Sequence, residues 1–264
     1  MKHSIISLLL VLTVFESIAC ECSIEYELND YMHSDFVATA IVVEGFKDTL
    51  GITDFNMPEY WIKISPTEVF KGKTPDSLKV TGGGMCVKTI KKDTHWLIYA
   101  KQTEEGVFQI NYCSDSEQID KYQHSTFPSS KVTLENHKAY MDRKIRQLKI
   151  LKRYKLDYTY PYEQLHLSNA DLSEQLEAYH GITLSNDIAI FELVLDKKLN
   201  VQSVNLINGF EANIDEKLIK LLESSAYKFT SQKTSEEVGR KWLIGIYYYP
   251  AEDGNPSVLS PWIL

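Results

Sequence analysis

The sequence predicts a two-part chain: a small, closed all-β unit with a flanking helix, followed by a small α+β unit in which an antiparallel sheet is backed by a helix. Three observations carry this. Residues 23–113 hold five short apolar or alternating runs separated by turn signals, as a small closed β structure requires. Residues 129–155 switch to helical periodicity. Residues 182–249 then run strand, strand, helix, strand.

The chain opens with a targeting pattern over residues 1–19. Lys2 and His3 precede an apolar stretch from Ile5 to Phe15, and Ser17 and Ala19 place small residues before Cys20. Eleven helical residues rise only about 16 Å, roughly half a hydrocarbon core, so the stretch reads as a cleaved signal peptide rather than a span.

In the first unit, Phe36 to Val43 is an apolar strand ending at Glu44-Gly45. Tyr60 to Val69 alternates and stops at Lys71-Gly72, with Pro66 marking an edge or bulge. Leu78 to Thr81 is a short strand closed by Gly82, Gly83 and Gly84. His95 to Ala100 is apolar and aromatic, and Gly106 to Cys113 alternates again. Leu134, Met141, Ile145, Leu148 and Leu151 then recur on one helix face. Nine basic residues between Lys131 and Lys155 make this helix either a surface for anionic lipid or a solvated face packed on the barrel. The expected unit spans 20–155.

Residues 156–181 read as a Tyr-rich linker ending in a short helical pattern, Asp171 to His180, capped by Asn169 or Ser168. The second unit spans 182–250. Ile188 to Leu195 and Val201 to Ile207 flank a turn at Asp196–Asn200, Asp215 to Ser224 is a helix, and Trp242 to Tyr249 is a third strand. Residues 251–264 read as a polar, Pro-containing tail with little structure.

Four cysteines, Cys20, Cys22, Cys86 and Cys113, survive the predicted cleavage, and an even count in an exported chain reads as two disulfides. A Cys20–Cys22 ring is too small; both other pairings tie the N-terminus to positions 86 and 113, each bridge contributing about 4 kcal/mol through the unfolded chain. Cys20 also sits where bacterial lipoproteins carry their lipidated cysteine, giving a rival localisation on the outer membrane; Glu16 and Ser17 depart from that pattern.

The formal net charge of −8 excludes nucleic acid as the main partner. No phosphate loop, dinucleotide fingerprint or nucleophile elbow is present, and the seven histidines show no zinc-ligand spacing. No enzyme activity, cofactor or metal is therefore expected. His95 reads as a strand-end residue, and Glu44, Asp93 and Asp115 as solvated carboxylates. The expected function is an exported, disulfide-stabilised binding or adaptor protein of the periplasm or cell exterior, with a protein or peptide partner. The aromatics Trp242, Tyr247, Tyr248 and Tyr249 mark a candidate sheet edge for docking an extended peptide.

Cys20-x-Cys22, Ser34-Asp35-Phe36-Val37, Val69-Phe70-Lys71-Gly72, Cys86, Leu97-Ile98-Tyr99-Ala100 and Cys113 together resemble the netrin-like module, the OB-fold of tissue inhibitors of metalloproteinases. The resemblance covers 20–150 and implies the pairings Cys20–Cys86 and Cys22–Cys113. It also implies an alternative function, metalloendopeptidase inhibition, in which the free amine and carbonyl of Cys20 chelate the catalytic zinc and Glu21 and Cys22 contact the protease. Glu21 departs from the small residue that normally enters the protease pocket, and burying an unpaired carboxylate there is costly. Phe191 to Asp196, Asn200-Val201, Val204 to Ile207, Ile214-Asp215-Glu216, Tyr227-Lys228-Phe229 and Trp242 to Tyr247 are similar to the C-terminal domain of TonB, with Leu199 standing where that family has Gly.

Overall fold

The structure, a computed structural model, describes residues 27–46, 59–82, 87–121, 134–155, 170–196, 198, 200–224, 240–252 and 254–263. The first unit begins with helix α1 (Glu27–His33), followed by strands β1 (Phe36–Glu44), β2 (Tyr60–Lys71), β3 (Leu78–Val80), β4 (His95–Gln102), β5 (Phe108–Ile110) and β6 (Glu117–Gln118). Strand β1 pairs antiparallel with both β2 and β4, β2 pairs with β3, β3 runs parallel to β5, and β5 returns to β4. The circuit β1-β2-β3-β5-β4-β1 closes a five-stranded, OB-like barrel, and β6 adds to the start of β4.

Alternation within each strand sorts side chains between barrel interior and outer face. Phe36, Ala38, Ala40 and Val42 of β1 and Trp96, Ile98 and Ala100 of β4 fill the interior with Ile62, Leu78, Val80 and Ile110. The intervening Val37, Leu97 and Tyr99 are buried too, against a second layer outside the barrel. That is why these two strands read as continuous apolar runs. At Pro66 the β1–β2 register shifts, between Thr39 paired to Glu68 and Ala40 paired to Pro66. Gly72 turns the chain at φ +76°, where an added Cβ would collide with the Asp35 carbonyl oxygen. Lys71 donates to the carbonyls of Tyr31 (3.0 Å) and Met32 (2.8 Å), satisfying the C-terminal end of α1 with a cation.

Helix α2 (Leu134–Tyr154) is the outer layer. Met141, Leu148 and Leu151 pack on Val37, Phe70, Leu97 and Tyr99 on one side and on Ile188, Ile190, Leu243 and Tyr247 of the second unit on the other. Leu134, on the expected apolar face, is 47% exposed.

The second unit comprises α3 (Ala170–Leu176) with a 3₁₀ turn over Glu177–Tyr179, β7 (Ile188–Leu195), β8 (Val201–Asn208), α4 (Ala212–Ser224), β9 (Arg240–Tyr249) and β10 (Val258–Ile263). Its sheet is antiparallel in the order β10-β9-β7-β8. One face carries Phe191, Leu193, Trp242, Ile244, Ile246 and Tyr248. The helices pack on it through Leu172 and Leu176 of α3 and Ile214, Leu218 and Leu222 of α4. The turn after β7 is built by Asp196, whose Oδ1 accepts from Lys198 N (2.7 Å) and Asn200 N (2.8 Å). Those bonds, with the Asn200 side-chain amide bond first among them, hold the Asp196 carboxyl below its ordinary range.

The structure corrects three expectations about the layout of the second unit. The tail predicted to lack structure forms β10, which pairs with β9 from Val258 to Ile263 and buries Leu259. Pro261 is compatible with β10 because, among the described residues, this strand lies at the sheet edge, where one side needs no donor. The predicted linker at 156–181 contains α3, whose Leu172 and Leu176 belong to the second unit's core. The three-stranded sheet has four strands. The predicted caps of α3, Ser168 and Asn169, the signal segment 1–19 and Leu199 lie outside the described residues.

Candidate functional site

The turn between β5 and β6 gathers charged and polar side chains from several elements. Ser116, 3% exposed, pins this turn to β4: its Oγ accepts from Tyr99 N (2.8 Å) and donates to Tyr99 O (3.1 Å). Asp30 of α1 fixes it from the other side, its Oδ2 accepting from Asp115 N at 2.5 Å. Asp115 in turn accepts from Lys144 of α2 at 2.6 Å, and Glu117 lies 3.9 Å from the same ammonium. Lys144 is 2% exposed and stands over the Tyr140 ring, so its charge is balanced inside the protein. His137, also buried, sets Nε2 at 2.7 Å from the Gln118 carbonyl oxygen, and Nδ1 faces Glu117 at 3.6 Å.

A cavity of about 420 Å³ opens beside this cluster, between Lys88, Trp96, Tyr112, Ser114, Asp115 and Glu117. The segment forming its far wall is held by Tyr60, whose hydroxyl donates to Lys88 O (2.5 Å) and accepts from Ile90 N (2.7 Å). Burial pushes the Tyr60 phenol up to about 12 against the Ile90 hydrogen bond. Burial also draws the Lys88 ammonium below the usual lysine range, although Asp115, Glu117 and Asp30 favour its charge; Lys144 adds to the lowering. A second cavity, about 330 Å³, lies on the other side of the turn among Asp30, His33, Tyr99, Lys101, Cys113 and Ser114.

Of the residues singled out from the sequence, Cys113 lies on this turn, exposed and disulfide-bonded, rather than at the end of a strand. Cys20, Glu21, Cys22 and Cys86 lie outside the described residues. Asp115 is no solvated carboxylate but the partner of a buried lysine. His95 starts β4, with Nε2 3.4 Å from Thr67 Oγ1.

Trp242, Tyr247, Tyr248 and Tyr249 do not form a sheet edge. Their strand, β9, is bonded to β7 on one side and β10 on the other. Trp242 and Tyr248 belong to the second unit's core. Tyr247 faces α2, donating to Gln147 Oε1 at 2.6 Å, and Arg143 stacks on the rings of Tyr247 (5.3 Å) and Tyr249 (4.5 Å). Among the described residues the edge strands are β10 and β8.

The basic helix α2 spends much of its charge internally: Lys144 on Asp115, Arg146 on Asp187, Lys149 on Glu68 at 3.2 Å and Lys152 on the Val69 carbonyl at 2.6 Å. Among the described residues no group of three His, Cys, Asp or Glu is arranged to hold a metal ion, and no helix is long and apolar enough to cross a membrane. Lys88, Ser114, His137 and Lys144 carried no local motif that would have singled them out. Compared with known proteins, the chain matches no family model and no curated relative.

Proposed function

We propose that this protein is an exported, disulfide-stabilised binding protein that holds a protein or peptide partner rather than catalysing a reaction. The observation that supports this best is β8. It ends the second sheet, pairs only with β7 among the described residues, and leaves Leu206 43% exposed. An open antiparallel edge with an exposed apolar side chain accepts an extended peptide as an added strand. The docking edge expected at β9 therefore moves to β8. The second unit is read as an α+β module similar to the C-terminal domain of TonB, with β10 as an addition.

The test is to pan a random-peptide library against the oxidised protein and measure the selected peptides against Leu206→Asp. Because Leu206 is exposed, the substitution leaves stability within about 0.5 kcal/mol. Peptides that bind wild type and lose affinity for the variant support docking at β8. Failure to enrich any peptide, or equal binding by the variant, removes it.

A second function, metalloendopeptidase inhibition through the Cys20 amine, draws support from one geometric fact. Helix α1 starts shortly after Cys22 and is anchored on the turn of disulfide-bonded Cys113 through Asp30. This favours the pairing of Cys22 with Cys113 and a tethered N-terminus. An intact mass beginning at Cys20, four hydrogens below the free-thiol value, keeps inhibition open. A diacylglycerol-sized adduct on Cys20, or unchanged metalloendopeptidase rates at micromolar protein, eliminates it.

A further inference from the structure

The two lysines beside the β5–β6 turn are treated unequally. Lys144 takes both nearby carboxylates, Asp115 at 2.6 Å and Glu117 at 3.9 Å. Lys88 makes no ion pair among the described residues; its Nζ lies 5.9 Å from the centre of the Tyr112 ring. Yet Lys88 is partly buried, lines the cavity of about 420 Å³, and has its main chain fixed by Tyr60. A partly buried ammonium without an ion pair loses solvation, and that loss favours release of its proton. The direction of its titration agrees: burial dominates over the attraction of Asp115, Glu117 and Asp30. Ser114 lines the same cavity, and its buried Oγ has no hydrogen-bond partner among the described residues. An unsatisfied buried hydroxyl in a cavity is a donor waiting for an acceptor. Val87 and Trp96 supply apolar wall, while Asp115 and Glu117 give the rim negative charge.

We infer that Lys88 is a covalent docking site for small, uncharged aldehydes of apolar or aromatic body. The lone pair of the deprotonated fraction of Nζ, enlarged by burial, forms a bond to the carbonyl carbon, and the C=O π electrons move to oxygen. That oxygen becomes a hydroxyl with the proton that nitrogen gives up, and the Ser114 hydroxyl, from the wall of the same cavity, is the donor assigned to it. Loss of this hydroxyl together with the second proton of nitrogen, as water, leaves a C=N bond, so amine and aldehyde yield imine and water with no change of oxidation state. The carboxylates select against anionic aldehydes, because a like charge brought into a partly desolvated cavity is repelled. This site is independent of the peptide-docking edge at β8.

The experiment uses the oxidised full protein near neutral pH with benzaldehyde and sodium cyanoborohydride, which delivers hydride to the imine carbon and makes the adduct permanent. Intact mass and peptide mapping give the rate at each amine. The expected result is that Lys88 is alkylated several-fold faster than the exposed Lys91 and Lys92, with the N-terminal α-amine mapped separately. With 4-carboxybenzaldehyde the preference for Lys88 is lost. Ser114→Ala slows the Lys88 reaction with benzaldehyde while Lys91 and Lys92 are unchanged. Lys88→Arg abolishes the fast phase; should that variant misfold, the wild-type rate ratios decide alone. Equal rates at Lys88, Lys91 and Lys92, or equal preference for the neutral and anionic aldehydes, overturns the inference.

Discussion

At the scale of single residues, the barrel's polar contacts are where chemistry and stability meet. Tyr60 satisfies a carbonyl and an N–H on the segment that walls the Lys88 cavity. Tyr60→Phe leaves both groups unpaired and is expected to cost about 1–3 kcal/mol, measured by urea unfolding. The Tyr60 phenol ionises at about 12 in the folded protein and near its ordinary 10.0 in the unfolded chain. The folded state thus holds the proton more tightly. Its contribution is fully present below the unfolded value and is lost as pH rises from 10 to about 12. Alkaline unfolding of wild type is expected to begin in that window, and the same titration of Tyr60→Phe should be flatter. Lys144→Met strands Asp115 and Glu117 beside an apolar side chain. The cost is expected near ~3 kcal/mol, the low end for a broken buried pair because Asp115 keeps some water contact. Lys144→Met combined with Asp115→Asn should recover part of it, checked by thermal unfolding of both variants.

At the scale of elements, β10 decides what the second sheet exposes. It covers the far side of β9, so deleting the chain from Val258 onward opens a ten-residue strand that carries Trp242 and three tyrosines. Truncation is expected to give a less stable, self-associating protein, read by size-exclusion chromatography and a lowered unfolding midpoint. Leu259→Ala keeps the strand but leaves a cavity against the core and is expected to cost about 2–3 kcal/mol. Helix α2 shows how an element's pattern is read twice: its apolar stripe faces both sheets, and its cations reach out to Asp187 and Glu68 on either flank. The same composition read without those partners looks like a surface for anionic lipid.

At the scale of the molecule, the barrel and the second sheet share one hydrophobic cluster through α2. Met141 is fully buried there, between the barrel's outer face and the second sheet. Met141→Ala is expected to cost about 2–5 kcal/mol and to lower the unfolding midpoint of both sheets together. Hydrogen exchange checks this: β1 and β4 should lose protection in the same step as β7 and β9, whereas two separate steps would mean that the sheets stabilise independently.

The strands of the barrel, the long helix and the β-β-α-β order were legible in the sequence because each rests on local periodicity: alternation in Tyr60–Lys71, apolar runs at Phe36–Glu44 and His95–Gln102, and a 3.6-residue stripe from Met141 to Leu151. Barrel closure, the inner position of β9, the recruitment of residues 258–263 as a strand and of α3 into the second core were decided only by tertiary structure. Each depends on which strand lies beside which, and Pro261 or a polar composition carries no information about a distant neighbour. The cavity was hidden for the same reason. Lys144 and Asp115 are 29 residues apart, and Asp30 reaches Asp115 across 85. Local sequence sets the period of an element and so which faces it can bury; the electrostatics of a site arise where separate elements converge, and that convergence is a property of the packed chain alone.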